Sequence, residues 1–198
     1  TDVSPNTVWA TNVRLLERAA LGSSDGELDQ SFSTTEQPVL DETVWVDELR
    51  GLSEGARASL QEADSPAVQV ETGVDGSVEA FWVAWTAVPD LLDSGPDERH
   101  YTIDRTAGTV TFGDGTRGRV PPRGTDNVEI QYRTGGGPGG NVAIHAVAEL
   151  QDTIQFVDGV TNPAPGTGGA AAGSPESVVS RAPKQLRDRD RAVAAVDY

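Results

Sequence analysis

The chain has 198 residues, enough for one large domain or two small ones around a real core. It has no Cys, which excludes disulfides and thiolate metal sites, and no run of about 18 apolar residues, the length a membrane-spanning helix needs. With 31 acidic residues against 15 basic, the formal charge of −16 argues against nucleic acid as a partner, because phosphate binding needs a cationic surface.

Lys184 is the single lysine among the basic residues; the other 14 are arginines. Few lysines, dense carboxylates and abundant Ala, Gly and Val fit a halophilic source, in which acidic side chains keep the surface hydrated in salt. The charge is uneven. Residues 176–198 carry five basic and four acidic groups, a balance of +1, which leaves −17 on residues 1–175. No signal-peptide pattern is visible. The chain opens inside a strand-like run and stops at Asp197-Tyr198, so it reads as a fragment of a longer protein.

In chain order, Thr7–Leu16 reads as a strand, with Trp9, Thr11 and Val13 on one face. A turn follows at 22–26. Residues 30–40 are Ser/Thr-rich and extended, with Pro38 placing them at a sheet edge. Thr43–Leu49 is a short strand with Val44 and Val46 on one face and Trp45 on the other. Residues 50–65 are a helical candidate: Leu52, Ala56, Leu60 and Ala63 share a face, Ser53 is the candidate N-cap, and Gly55 weakens the case. Ala67–Glu71 is a strand, followed by a hairpin turn at Asp75-Gly76. Val78–Val88 is the most apolar strand and is apolar on both faces, as a central strand would be. Its Trp82 and Trp85 could stack on a sugar or pack in a core; their apolar neighbours favour the core.

The stretch with the densest backbone signals is 100–142. His100–Asp104 and Thr109–Phe112 read as a hairpin joined by a turn ending at Gly108. Gly113-Asp114-Gly115 ends its second strand with residues that tolerate positive φ. Pro121-Pro122 stiffens the path. Val128–Arg133 alternates apolar and polar as a half-buried strand. Gly135, Gly136, Gly137 and Gly140 then precede Asn141. The alternation of Val142, Ile144 and Ala146 suggests a strand through His145, although an Ala-rich end could be helical. Residues 153–160 resume extended character. From Asn162 the composition turns Gly-, Ala- and Pro-rich, as in a connection. Beyond it Ser174, Pro175, Val178, Ala182 and Leu186 predict a helix that breaks near Pro183.

Motifs for chemistry are sparse. The two histidines, His100 and His145, lack an HxxxH or Cys pairing that would indicate zinc. The glycine run has no following Lys-Ser/Thr and no helix start, so it is not a phosphate loop. Asp114 lacks the ligand spacing of an EF-hand and reads as a turn aspartate. No two of the 31 acids stand out as a glycosidase pair, and no GxSxG elbow is present. These readings lead to no catalytic, cofactor or metal site.

The order of landmarks is more specific than any one of them. Trp85 precedes a Ser-Gly-Pro turn, then come Arg99-x-Tyr101-x-Ile103-Asp104, Gly108 and Phe112-Gly113-Asp114-Gly115. Gly118, Pro121-Pro122 and Gly124 follow, then Tyr132-Arg133-Thr134-Gly135-Gly136-Gly137 and Gly140-Asn141-Val142. Arg181-Ala182-Pro183 and Arg189-x-Arg191-Ala192-Val193 stand near the end. Over residues 80–198 this set resembles the baseplate J-like family of contractile phage tails and contractile injection systems. The first 75 residues match only in β-character, and Ala194 stands where the family has a helix-capping Thr.

The resemblance implies a structural subunit of a baseplate wedge around a central spike, supporting sheath attachment, with no catalytic residues. Its implied partners are other wedge subunits in a hetero-oligomeric ring, without nucleic acid or membrane insertion. Its implied place is the cytoplasm, assembled into a tail or particle. The fold expected is mainly β with a smaller α-helical C-terminal part (α+β): a β-rich domain over 1–160, a connection over 161–173, and a helical segment over 174–198 that begins a further domain. Arg187, Arg189 and Arg191 are the candidate partner-docking residues. The alternatives are a carbohydrate-binding β-module using Trp82 and Trp85, and a tail-associated hydrolase domain.

Overall fold

The computed structural model describes residues 7–63, 66–150 and 153–170. Among these residues nine strands and one α-helix lie in the order β1 (Val13–Gly22), β2 (Ser31–Ser33), β3 (Val39–Asp47), α1 (Glu54–Glu62), β4 (Val68–Thr72), β5 (Val78–Ala84), β6 (Thr86–Ala87), β7 (His100–Asp104), β8 (Thr109–Phe112) and β9 (Val128–Gly135). A 3-10 turn at Pro138–Gly140 follows. The protein is therefore mainly β. The chain divides into two units between Gly136 and Gly137.

The first unit holds two sheets. One has the order β1-β9-β3-β5-β4, and the other β2-β8-β7-β6. The first is antiparallel throughout, and in the second only β6 and β7 run parallel. Alternation on β3 and β9 turns Val44, Val46, Val128, Ile130 and Tyr132 to the inner face, where they meet Tyr101, Val110 and Phe112 of the second sheet. Burying each such side chain contributes about 1.5–3 kcal/mol relative to exposure. Phe112 is fully buried and meets Phe32, Trp85 and Tyr101, with ring centroids 5.8, 5.2 and 6.3 Å away. Trp85 is the residue at which the chain leaves β5 in one sheet for β6 in the other. Its N–H bonds Val44 O, and that of Thr86 bonds Arg99 O.

Several expectations hold. His100–Asp104 and Thr109–Phe112 form the antiparallel hairpin. β5 is an interior strand, and Gly76 takes φ +81 in the β4–β5 turn. Ser53 caps α1, its Oγ accepting from Ala56 N. No residue of that helix is buried.

Others need correction. The first strand begins at Val13 instead of Thr7, because β9, its partner, ends at Gly135 and the chain turns away through Gly136 (φ +74) and Gly137 (φ +69). Pro38 does not mark an edge. It stands just ahead of β3, the middle strand of its sheet, where its missing donor costs no ladder bond. The last strand ends at Gly135, short of the expected 160, and residues 141–150 and 153–170 contain no strand. His145 is not in a strand; it takes φ +63. The groups a ladder would satisfy are taken by Asn162, whose Oδ1 accepts from Val147 N and whose Nδ2 donates to Ala143 O and Ala164 O. The helical segment expected over 174–198 lies outside the described residues. Among the described residues no helix is long and apolar enough to cross a membrane.

Candidate functional site

The landmark residues of 85–135 are brought together by the loop that joins β8 to β9. Asp114 Oδ1 accepts from Thr116 N and Arg117 N, both at 2.7 Å, which folds the loop's first turn. These two backbone donors, led by Arg117, hold the Asp114 carboxyl below its ordinary pKa. Gly115 and Gly118 take φ +77 and +79, and Gly115 N bonds Gly118 O at 3.0 Å. Gly113 is needed for a different reason. A Cβ there would lie 2.3 Å from Gly118 O, so the two backbones touch where any side chain would stand.

The loop is then fastened outward. Gly118 N bonds Gly95 O, and Arg119 N bonds Glu98 O. Pro121 O accepts from Ser24 Oγ, and Pro122 O accepts from Asn127 Nδ2. Asn127 Oδ1 accepts in turn from Ser24 N at 2.8 Å. Ser24 and Asn127 are both buried, so this polar knot is closed to water.

Beneath the loop lies Glu48, whose side chain is fully buried. Its carboxylate accepts from Arg99 Nε at 2.7 Å and Arg99 Nη2 at 2.8 Å, a bidentate pair. It also accepts from Trp85 Nε1 at 2.9 Å, and Arg119 Nη2 stands 3.9 Å away. One acid therefore ties the end of β3, the sheet-switching Trp85, the residue before β7 and the β8–β9 loop. A second buried acid, Glu42, accepts from Arg105 Nη2 at 2.8 Å and, through a longer contact of 3.4 Å, from Tyr101 Oη. Burial, and next the charge of Glu42, push the Tyr101 hydroxyl well above its ordinary pKa.

On the opposite face of the larger sheet the Arg18 guanidinium lies 4.9 Å from the Trp45 ring centroid and 4.4 Å from that of Trp82. It pairs with Glu129, while Trp82 Nε1 donates to Glu71. The long arginine covers two rings that would otherwise face water.

Trp82 and Trp85 are thus buried and spend their N–H groups inside the protein, so the paired aromatic platform of the sugar-binding alternative does not exist. Among the described residues the carboxyls that shift, Asp41, Asp75 and Asp114, all shift downward and lie in open turns or ion pairs, the opposite of a general acid held protonated. His100 Nδ1 meets Ser94 Oγ at 2.9 Å, and His145 Nδ1 meets Thr161 Oγ1 at 3.0 Å.

Of the singled-out residues, Phe112, Gly113, Asp114, Gly115 and Gly118 meet in one assembly. Tyr132 anchors elsewhere, its hydroxyl accepting from Glu36 N at 3.0 Å. Gly135 closes the β1–β9 ladder, where a Cβ would lie 2.4 Å from Asn12 O. Gly140 and Asn141 belong to the second unit. There the Asn141 amide clasps Gly169, donating to its carbonyl and accepting from its N–H. Arg187, Arg189 and Arg191 lie outside the described residues. Glu42, Glu48 and Arg18 were not singled out from the sequence.

No protein-family model, curated protein or solved structure matches the chain.

Proposed function

We propose that the protein is a structural subunit of a contractile injection system or phage-tail baseplate wedge. The supporting observation is the use to which the ordered landmarks are put. Trp85, Arg99, Tyr101, Phe112, Gly113, Asp114, Gly115 and Gly118 fasten one loop to both sheets, through a buried ion pair and backbone contacts too close for side chains. Residues spent in this way serve rigidity, which is what a load-bearing ring component needs. In this reading the partners are neighbouring wedge subunits, and Arg187, Arg189 and Arg191 supply cationic contacts from a chain that is otherwise strongly acidic. A specific contact of this kind buries at least about 1,000 Å² in total.

The test is deletion of the gene in its source cell, followed by electron microscopy of the tail-like particles. The expected result is loss of assembled baseplates and of sheathed tails. Normal particles lacking the protein would refute the reading. Charge reversal at Arg187, Arg189 and Arg191 should weaken capture of the wedge partner while leaving the melting temperature of the isolated chain unchanged.

A further inference from the structure

Four Asp-Gly pairs punctuate the chain: Asp25-Gly26, Asp75-Gly76, Asp114-Gly115 and Asp158-Gly159. Such a pair carries latent chemistry. The glycine's amide nitrogen is unhindered, because its own residue has no side chain, and it can attack the carboxyl carbon of the aspartate before it. Whether it does so depends on how the fold holds the two reacting groups.

In three pairs both groups are engaged. Asp25 Oδ1 accepts from Glu27 N at 2.9 Å, and Gly26 N donates to Ser24 Oγ at 3.2 Å. Asp75 Oδ1 accepts from Ser77 N and Ser77 Oγ at 2.9 and 2.6 Å, and Gly76 N donates to Gly73 O at 3.0 Å. Asp114 Oδ1 accepts from Thr116 N and Arg117 N, and Gly115 N donates to Gly118 O. In each pair the carboxylate is turned to a donor further along the chain, and the N–H that would have to attack points at an acceptor. The lowered pKa of Asp75 and Asp114 acts in the same direction, since an ionised carboxylate is a poor electrophile.

Asp158-Gly159 differs on each point. Both residues are exposed and lie outside any strand or helix. Among the described residues neither the Asp158 carboxylate nor the Gly159 N–H makes a hydrogen bond or ion pair. A Cβ at Gly159 would meet nothing within 4 Å, so the pair has room to rotate.

We propose that Asp158 is the site at which the folded protein modifies its own backbone, by conversion to isoaspartate. Gly159 N forms a bond to Asp158 Cγ while the Cγ–OH bond breaks; the amide proton and the hydroxyl leave together as water, and a succinimide results. Water then adds at the main-chain carbonyl of Asp158 and the ring C–N bond there breaks. The chain now runs through Cγ, and the α-carboxylate is free. One water is lost and one regained, nothing is oxidised or reduced, and mass and charge are unchanged. The main chain is longer by one methylene between the Ile154–Val157 turn and Asn162, whose side chain binds Ala143, Val147 and Ala164. A free α-carboxylate on a lengthened backbone is the substrate of an isoaspartyl carboxyl methyltransferase, and that is the enzyme class this site would take. The inference does not depend on the baseplate reading.

Prolonged incubation of the whole chain at neutral pH, below its unfolding transition, tests it. Isoaspartate is located by lost cleavage with an aspartate-specific endoproteinase and by electron-transfer fragmentation, and is counted by methyl transfer from labelled S-adenosylmethionine with an isoaspartyl methyltransferase. Asp158 should convert at least about tenfold faster than Asp25, Asp75 or Asp114, the factor by which having to break one or two hydrogen bonds slows a rate. In guanidinium chloride the four sites should convert at similar rates, because the bonds that separate them are gone. Asp158→Glu keeps the charge but needs a larger ring, and should remove the dominant methylated site while leaving the other three unchanged. Conversion of another pair as fast as Asp158 in the folded chain overturns the proposal. So does a folded Asp158 that stays intact while the unfolded chain converts, or a rate order that persists in guanidinium chloride, which would assign the selectivity to sequence instead of fold.

Discussion

Arg99→Ala isolates the contribution of the buried ion pair. The change removes two charge-assisted hydrogen bonds, at 2.7 and 2.8 Å, from a carboxylate that is fully buried. What remains to Glu48 is Trp85 Nε1 at 2.9 Å and the Arg119 guanidinium at 3.9 Å. Removing one partner of a buried pair costs about 3–5 kcal/mol, because the other charge is left in a medium that cannot solvate it. Arg99 is itself 17% exposed and Arg119 retains some attraction, so the low end applies, about 3 kcal/mol. At about 2–4 °C per kcal/mol for a chain of this size, the melting temperature should fall by about 6–12 °C.

The companion variant Arg99→Ala/Glu48→Leu removes the stranded charge as well. It leaves Trp85 Nε1 without its acceptor, a loss of about 1–3 kcal/mol, and Arg119, which is partly exposed, without its longer ion pair. The double variant should therefore be no less stable than Arg99→Ala, although it deletes more interactions, and the cycle should return a favourable coupling of about 2–3 kcal/mol. Urea unfolding followed by Trp fluorescence measures all four corners of the cycle: the wild type, Arg99→Ala, Glu48→Leu and the double variant. A loss below about 1 kcal/mol for Arg99→Ala, the worth of a surface pair, would refute the claim that this network holds the two sheets and the loop together.

Four further outcomes are expected. Gly113→Ala should destabilise by at least about 1–3 kcal/mol, the usual cost of overpacking, because its Cβ would meet the Gly118 backbone and not a movable side chain; Gly76→Ala, strained but in open space, should cost about 1–2 kcal/mol in the same urea assay. The depressed Asp114 pKa means its stabilising contribution is complete above the ordinary value of 3.8 and is lost as pH falls through the lower folded value. Asp114→Ala should accordingly lower the melting temperature at neutral pH and make little difference in strong acid, and an equal deficit at both would contradict the assignment. Raising KCl from 0.1 to 1 M shortens the screening length from about 10 to about 3 Å, so the melting temperature should rise as carboxylate repulsion is shortened in range; no change would count against salt adaptation. Arg18→Ala should expose Trp45 and Trp82 and shift tryptophan emission to the red, and unchanged emission would show that other groups cover the rings.

The hairpin and β9 were legible because their signals are local. A two-residue period, Gly108 at φ +67 and the alternation of Val128, Ile130 and Tyr132 are all written within a few residues. The first strand was misjudged because pairing is not local. Thr7–Asn12 has the same β-prone character as Val13–Gly22, and only the turn of a partner more than a hundred residues away separates them. The segment around His145 shows the same limit: alternation supplied a pattern, but among the described residues no neighbouring strand pairs with it, and an asparagine amide takes that place.

The buried acids carried a sequence signal that alternation alone exposes. Glu42, Val44 and Val46 are spaced by two on β3 and Glu48 continues the spacing just past its end, so any register that buries Val44 and Val46 also turns both glutamates inward. An acid on a core-facing position requires a cation, and the sequence offers fourteen arginines without saying which. The choice of Arg99 for Glu48 and Arg105 for Glu42 is made by β7, whose two ends carry these residues to opposite ends of the core face of β3. The landmarks Arg99, Tyr101 and Phe112 therefore lie in one constellation with two glutamates that no landmark contained. The landmarks contain Arg99 but not Arg105 or either glutamate, and the sheet register supplies the rest of both pairs.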